Sequence, residues 1–273
     1  MNSKSHIAKE FGVHRNTISN RLGNVSFMAK PAPLKKLPNE LVLVLDGTGI
    51  SPDEMLILSY EYLSDQPLAW LFDTHETFNS WFTLLKEIKK RYSVHAIVSD
   101  GQKGLIKASK LSFPNAIHQR CLAHIIRLSF ALLTRNPKTE AGVELRLMIR
   151  MLGKVRNDFE AKVWKDGFEN WNKQYEQFLK EKSFNPENGR KWYTHKKLRA
   201  VRSLVKNAIG DMFWYVNDSK IPNTTNVVEG GINSPLAELL HRHRGIGKQL
   251  KEQLVLYYLY ARRKTKKTTR SCA

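Results

Sequence analysis

The chain has 273 residues, 41% of them hydrophobic, and its 45 Lys/Arg against 25 Asp/Glu give a formal charge of +20 and a pI near 9.9. That length can bury a substantial core in one large domain or two smaller ones, and the charge asks for a polyanionic partner, with nucleic acid the leading candidate because Lys and Arg release condensed counterions from phosphates. No apolar run approaches the roughly 20 residues of a membrane span, the start Met-Asn-Ser-Lys-Ser-His lacks a signal-peptide core, and two cysteines, Cys121 and Cys272, argue against a disulfide framework. The expectation is a cytoplasmic protein that acts on DNA and has no membrane partner.

Residues 3 to 22 carry the spacing of a helix-turn-helix, so 1–24 is read as a DNA-binding segment. Ala8 is small where two helices would cross, Gly12 allows a tight turn, Val13 and Ile18 pack inward, and Arg15, Asn16, Thr17 and Asn20 would face the major groove. A complete module needs a supporting helix before this pair, so the segment is expected to belong to a longer DNA-binding region or to lean on another domain. Residues 25–40 read as a basic linker, with Pro31, Pro33 and Pro38 among Lys30, Lys35 and Lys36. Residues 1 to 39 hold seven Lys/Arg against one acid, Glu10, a balance suited to a DNA backbone.

A core domain is expected over 41–250. Leu41-Val-Leu-Val-Leu-Asp46-Gly47 and His95-Ala-Ile-Val-Ser-Asp100-Gly101 each read as a buried strand that stops at an Asp-Gly turn. Between them, Met55 to Leu63 and Pro67 to Asp73 read as two strands of an antiparallel meander, and His75 to Tyr92 as an amphipathic helix with Phe78, Trp81, Phe82, Leu85 and Ile88 on its apolar side. Gln102 to Ser109 is predicted as a helix and Ala116 to Gln119 as a fifth strand. Three strands, helix, strand, helix, strand, helix is the order of a ribonuclease H-like α/β fold, an αβα layer that sets the first and fourth strands side by side. From about 125 to 221 the strand signals vanish, and Ile125 to Leu133, Glu144 to Leu152, Asn157 to Leu179 and Leu198 to Val216 predict a helical insertion. Its tryptophans, Trp164, Trp171, Trp192 and Trp214, are read chiefly as helix packing, with an exposed one able to stack on an unpaired base. Residues 251–273 are expected to form a C-terminal helix and a basic tail; 241 to 273 hold ten Lys/Arg and one acid, Glu252.

Three acids stand out against this basic background: Asp46 and Asp100 at apolar strand ends, and Glu229, which opens a glycine-marked helical segment after the capping residues Asn223, Thr224 and Thr225. Ligands of open α/β sheets lie beyond the strand carboxyl ends. Phosphodiester cleavage needs an activated nucleophile and charge compensation at the phosphate, which two divalent ions supply; hard oxygen ligands suit Mg²⁺. Asp53, Asp65 and Asp73 are nearby acids with turn or outer-strand explanations. His241 and His243, beside Arg242 and Arg244, suit phosphate contact better than metal ligation. Cys121 and His124 lie at i and i+3, on one helix face, and with no second Cys pair nearby zinc is not expected.

The motifs Val44-Leu-Asp46-Gly-Thr, Val98-Ser-Asp100-Gly-Gln-Lys-Gly-Leu, Gln119-Arg-Cys121-Leu-Ala-His124 and Thr225-Asn226-Val-Val-Glu229-Gly-Gly-Ile-Asn233 together resemble the Mutator-like group of DDE transposases of bacterial insertion sequences. Asp46 and Asp100 are 54 residues apart, and Asp100 and Glu229 are 129 apart, a gap that admits the helical insertion this group carries. The resemblance covers roughly residues 41 to 250. It implies a ribonuclease H-like core, two Mg²⁺ or Mn²⁺ ions on Asp46, Asp100 and Glu229, His124 near the catalytic pocket, nicking at transposon ends, attack of the freed 3′-OH on target DNA, and a homodimer or larger synaptic complex. A transposase-derived DNA-binding regulator with a decayed catalytic layer, and a metal nuclease that cuts without joining, stay open beside that reading.

Overall fold

The computed structural model describes residues 4–18 and 33–264. Its centre is a five-stranded sheet: β1 (Glu40–Ser51), β2 (Glu54–Glu61), β3 (Gln66–Asp73), β4 (Ser93–Ser99) and β5 (Ile117–Arg120), in the order β3-β2-β1-β4-β5. β1 pairs antiparallel with β2 and β2 with β3, whereas β1–β4 and β4–β5 are parallel. Only β2 runs against the rest, so β1, β3, β4 and β5 all end at one edge of the sheet.

The continuous apolar run of β1 follows from cover on both faces. Leu41, Leu43 and Leu45 face a layer built from the helices α2 (Phe78–Lys89) and α3 (Lys103–Ser112), in a core with Trp81, Leu85, Ile97 and Leu105. Val42 and Val44 alternate to the other face and meet Val228, Ile232, Leu236, Val255 and Leu259 from the C-terminal helices. The sequence places a turn at Asp46-Gly47, but β1 runs through it: Asp46 pairs with Leu58 and Gly47 with Ile57, and the turn falls at residues 52 and 53. Pro52 presets the backbone angle that such a turn needs, which an extended Gly47-Thr48-Gly49 stretch does not supply.

Thr77 starts α2, its hydroxyl accepting from the Ser80 amide at 3.2 Å. The segment expected as a helical insertion holds α4 (Leu122–Leu132), α5 (Glu140–Leu152), α6 (Asp158–Gln174), α7 (Glu176–Lys180) and α8 (Lys196–Ala208), packed around a core of its own that includes Leu145, Ile149, Trp164, Phe168, Trp171 and Val201. Trp164 and Trp171 are helix-packing residues, their indoles donating to the Met148 carbonyl at 2.9 Å and the Ala141 carbonyl at 3.0 Å. The helix expected over Asn157 to Leu179 is interrupted at Tyr175, and the one expected to reach Val216 ends at Ala208, giving way to short 3₁₀ turns. The insertion is also not purely helical. β6 (Lys182–Phe184) and β7 (Lys191–Tyr193) form an antiparallel hairpin, three residues a side, too short to leave an alternating pattern.

At the amino end, α1 (Lys4–Glu10) is followed by Gly12 at φ +61° and by helical residues 15–18. Asn20 and half of the expected linker, residues 25–32, lie outside the described residues. Lys35 is tied to β3, its amide donating to Gln66 Oε1 at 2.8 Å. The described residues close with α9 (Ser234–Arg242) and α10 (Lys248–Lys264), and the rest of the expected basic tail, residues 265–273, lies outside them. No helix among the described residues is long and apolar enough to cross a membrane.

Candidate active site

β1 carries Asp46 to 9% exposure, with its backbone held in the ladder to β2. β4 delivers Asp100 one residue past its last strand position, where Oδ1 accepts from the Gln102 amide at 2.9 Å. The next residue must be glycine: Gly101 has φ +95°, and a Cβ there would lie 1.9 Å from the Arg120 guanidinium. Arg120 in turn donates to the Asp100 carbonyl at 3.4 Å.

Glu229 arrives on a wide helical turn. A short helix, Asn226–Val228, widens into a π-helical stretch, Glu229–Asn233, that runs on into α9; such stretches are frequent at functional sites. Thr225 donates to Glu229 Oε1 at 2.8 Å, Arg127 donates to Oε2 at 2.7 Å, and His124 Nδ1 lies 3.3 Å from Oε1. From the same turn the Asn233 amide donates to Asp46 Oδ2 at 2.6 Å. Asp46, His124, Arg127, Glu229 and Asn233 therefore line one cleft of about 350 Å³. Asp100 is not among the residues lining that cleft, but its charge acts on Asp46 and His124.

Crowded carboxylates set the electrostatics. Burial, with repulsion from Glu229, Asp100 and Glu76, pushes the Asp46 carboxyl up to about 7 despite the opposing His124. Burial also pushes Glu229 up, but hydrogen bonds from Arg127 and Thr225 and the nearby His124 outweigh it and hold that group below the usual range. His124 is raised by the neighbouring Cys121 sulfur, against burial, and by the charges of Glu229 and Asp100. Burial raises the Cys121 thiol, yet His124 and Thr225 bring it below its ordinary value.

Two donor sets can receive a cation. Asp46, Asp100 and Glu229 offer hard oxygens, and a divalent cation would favour the ionised Asp46 carboxylate that burial first, and repulsion from its neighbours second, disfavour, so these residues fit Mg²⁺ or Mn²⁺. Cys121, His124 and Glu229 also present one ligand atom each within 4.8 Å of one another. Here the sulfur is already engaged: it accepts from the Thr225 amide at 3.2 Å and the Thr225 hydroxyl at 3.3 Å.

Residues 66–236 match the model of a known family, described as transposase, Mutator family. The chain belongs to the Mutator family of transposases. It is also 29% identical over 127 residues to the transposase for insertion sequence element IS1201 of Lactobacillus helveticus, a stretch covering 46% of this chain and 32% of that relative. The chain thus matches about a third of that relative's length. In this Mutator-family chain the matched segment contains Asp100, His124 and Glu229, while Asp46 lies ahead of it on β1.

One acid of the site escapes sequence reasoning. Glu76 receives the Trp81 indole N–H on Oε1 at 2.9 Å, and its backbone carbonyl accepts from the Gln102 side chain at 2.9 Å. A Cβ on Gly47 would lie 2.8 Å from Glu76 Oε2, so the carboxylate rests directly on the glycine after Asp46. Burial and the Asp100 charge push it up, against the Trp81 hydrogen bond. Topology would have found it, because the loop after β3 opens at the same sheet edge as Asp100. The other acids weighed lie in other roles: Asp65, at φ 54°, accepts from the Tyr60 hydroxyl at 2.7 Å, and Asp73 accepts from Ser80 Oγ at 2.5 Å.

Of the expected DNA-contact residues, Arg15 and Asn16 are exposed and Thr17 half-buried on the helical turn 15–18. Arg242 is exposed and paired with Glu238, and Arg244 is exposed just past the end of α9.

Proposed function

We propose that the chain carries a DDE-type transposase active site on a ribonuclease H-like core, cleaving insertion-sequence ends and joining the freed 3′-OH to target DNA. The observation that carries this reading is that Asp46 on β1 and Glu229 on the π-helical turn, remote in sequence, line one cleft, with the Asp100 charge acting on Asp46. A sheet in the order β3-β2-β1-β4-β5 with only β2 reversed, covered by helices on both faces, supports the fold assignment.

Two Mg²⁺ or Mn²⁺ ions held by Asp46, Asp100 and Glu229 would supply nucleophile activation and charge compensation at the scissile phosphate. The protein's own groups do the rest. Asn233 fixes the rotamer of Asp46, Thr225 and Arg127 fix Glu229, and Glu76 adds a fourth negative charge next to Gly47. His124 and Arg127, nitrogen donors lining the same cleft, would donate to non-bridging phosphate oxygens. Double-stranded DNA, as transposon end and target, is the polyanion that a +20 chain would bind. Arg15, Asn16, Thr17 and Asn20 would read bases, Arg242 and Arg244 would contact phosphates, and paired subunits would hold two ends.

The test is nicking of supercoiled plasmid DNA in Mg²⁺ or Mn²⁺, followed by joining of a precut duplex with a free 3′-OH. Asp100→Asn and Glu229→Gln should lose nicking while keeping DNA binding. Equal nicking by wild type and Asp100→Asn would refute the assignment, and nicking without joining would reduce the chain to a nuclease.

A further inference from the structure

The β6–β7 hairpin is more ordered than a loop joining two helices needs to be. Its ends are clasped by the Thr194 amide on the Glu181 carbonyl at 3.0 Å and by Ser183 Oγ against Thr194 Oγ1 at 2.8 Å. His195 stacks on Phe178 at 3.7 Å between ring centroids and bonds Glu181 at 2.9 Å. The tip is closed by the Asn185 amide on the Arg190 carbonyl at 2.9 Å, with Gly189 at φ +66° making the turn. A rigid element held away from the core points to surface use.

Its side chains are sorted by the ladder. Lys182 pairs with Tyr193 and Phe184 with Lys191, so these four share one face, while Ser183 and Trp192 share the other. Phe184 is 63% exposed and Tyr193 37% exposed. Lys182 lies over the Tyr193 ring at 5.4 Å and Arg199 over the same ring at 3.6 Å. Residues 180 to 199 hold seven Lys/Arg against two Glu. Alternating cations and exposed rings are what a nucleic-acid strand requires, with ammonium groups for phosphates and ring faces for bases. A hydrophobic protein partner would not need that charge, and a duplex keeps its base faces covered.

We propose that the hairpin face formed by Lys182, Phe184, Lys191 and Tyr193 is a second DNA-contact surface, which stacks Phe184 on an unpaired base and holds the flanking phosphates. The inference rests on the reading of the chain as a transposase that acts on DNA, and it adds a contact remote in sequence from both the amino-terminal segment and the three acids.

Fluorescence anisotropy with two labelled DNAs tests it: a blunt duplex, and the same duplex with a short unpaired flap. Phe184→Ala should weaken binding to the flapped DNA by about tenfold, the loss of one base stack, and binding to the blunt duplex by less than about twofold. Lys182→Gln combined with Lys191→Gln should make the salt dependence of flap binding shallower. Since Phe184 is exposed, thermal melting should be unchanged, which keeps misfolding out of the result. Equal losses on both DNAs, no loss on either, or a changed oligomeric state of Phe184→Ala by light scattering would overturn the inference while leaving the active-site reading intact; the last would make the hairpin a contact between copies of the chain. Wild type that binds neither DNA would overturn both.

Discussion

Asp46→Asn should stabilise the protein while abolishing its chemistry. In the fold the Asp46 carboxyl is pushed from an ordinary value of 3.8 up to about 7. The folded state therefore holds a proton that the unfolded chain releases, and ionising this group opposes folding. The sign follows from linkage: the penalty is absent below the unfolded value, grows as pH rises, and is complete above the folded value. A shift of about three units at 1.36 kcal/mol per unit amounts to about 4 kcal/mol. Relaxation and water entry lessen the burial cost, and Glu229, Asp100 and Glu76 can rearrange to share the smaller repulsion, so about half, on the order of 2 kcal/mol, is the reasonable expectation for one substitution.

Asparagine is nearly isosteric and can still accept the Asn233 hydrogen bond, so little packing is lost. At about 2 to 4 °C per kcal/mol for a chain of this size, Asp46→Asn should melt roughly 4 to 8 °C above wild type in EDTA at about pH 8 and show a distinctly smaller gain at about pH 5. Circular dichroism melts at the two pH values decide it. Saturating Mg²⁺ should then raise wild type and narrow the difference, because a ligand that binds only the folded state stabilises it. A variant that melts with or below wild type at the higher pH, or a gain that does not change with pH, would refute the electrostatic account of the site.

Gly47→Ala places a methyl group 2.8 Å from Glu76 Oε2, the free end of a flexible side chain, so the protein should fold normally yet bind Mn²⁺ more weakly by calorimetry; unchanged binding would remove Glu76 from the site. Gly101→Ala meets both a backbone at φ +95° and the Arg120 guanidinium, and should destabilise by at least about 1 to 3 kcal/mol in urea, more than Gly210→Ala, where nothing lies within 4 Å. Cys121→Ala leaves the buried Thr225 amide without its sulfur acceptor, which should destabilise by about 1 to 3 kcal/mol in urea; wild-type stability would show that the sulfur contact carries no weight. Affinity for duplex DNA should fall linearly on a log–log salt plot with a slope of about −0.9 per phosphate contacted, and a flat plot would remove the basic residues from the interface.

Much of the core was legible because its physics is local in the chain. Continuous apolar runs marked β1 and β4, and the 3.6-residue spacing of Trp81, Leu85 and Ile88 marked α2. What failed was whatever depended on partners. β1 was expected to stop at Asp46-Gly47, because a dipeptide common in turns does not reveal that β2 will pair beyond it. The β6–β7 hairpin was missed because three residues a side are too few for periodicity to register. Glu76 was missed because its role comes from the sheet edge at which it opens, and strand order is not written in the residues around it. For Glu229, glycine-marked helical residues were visible, but not the π-helical turn on which it and Asn233 reach the same cleft while Ile232 and Leu236 pack in the core beneath.

The long separation between Asp100 and Glu229 looks costly in chain entropy, since both must reach one cleft from either side of the helical insertion. The junction removes most of that difficulty. Where the insertion leaves the sheet and where it returns, Leu122 donates its amide to the Asn223 carbonyl at 2.9 Å, and Cys121 Sγ accepts from both Thr225 donors. The insertion is thereby a closed loop whose ends are fastened together, and closure entropy grows only logarithmically with loop length, so a large insert adds little to the cost of holding Glu229. The fastening residues also adjoin the cleft of the proposed active site. Thr225 bonds the Cys121 sulfur and Glu229 Oε1 with one hydroxyl, while His124 and Arg127, a turn or two along α4 from Cys121, reach the same carboxylate. On this account the Cys-x-x-His motif acts first as a clasp that converts a remote glutamate into a fixed neighbour of the strands, with the His124 imidazole left facing the cleft.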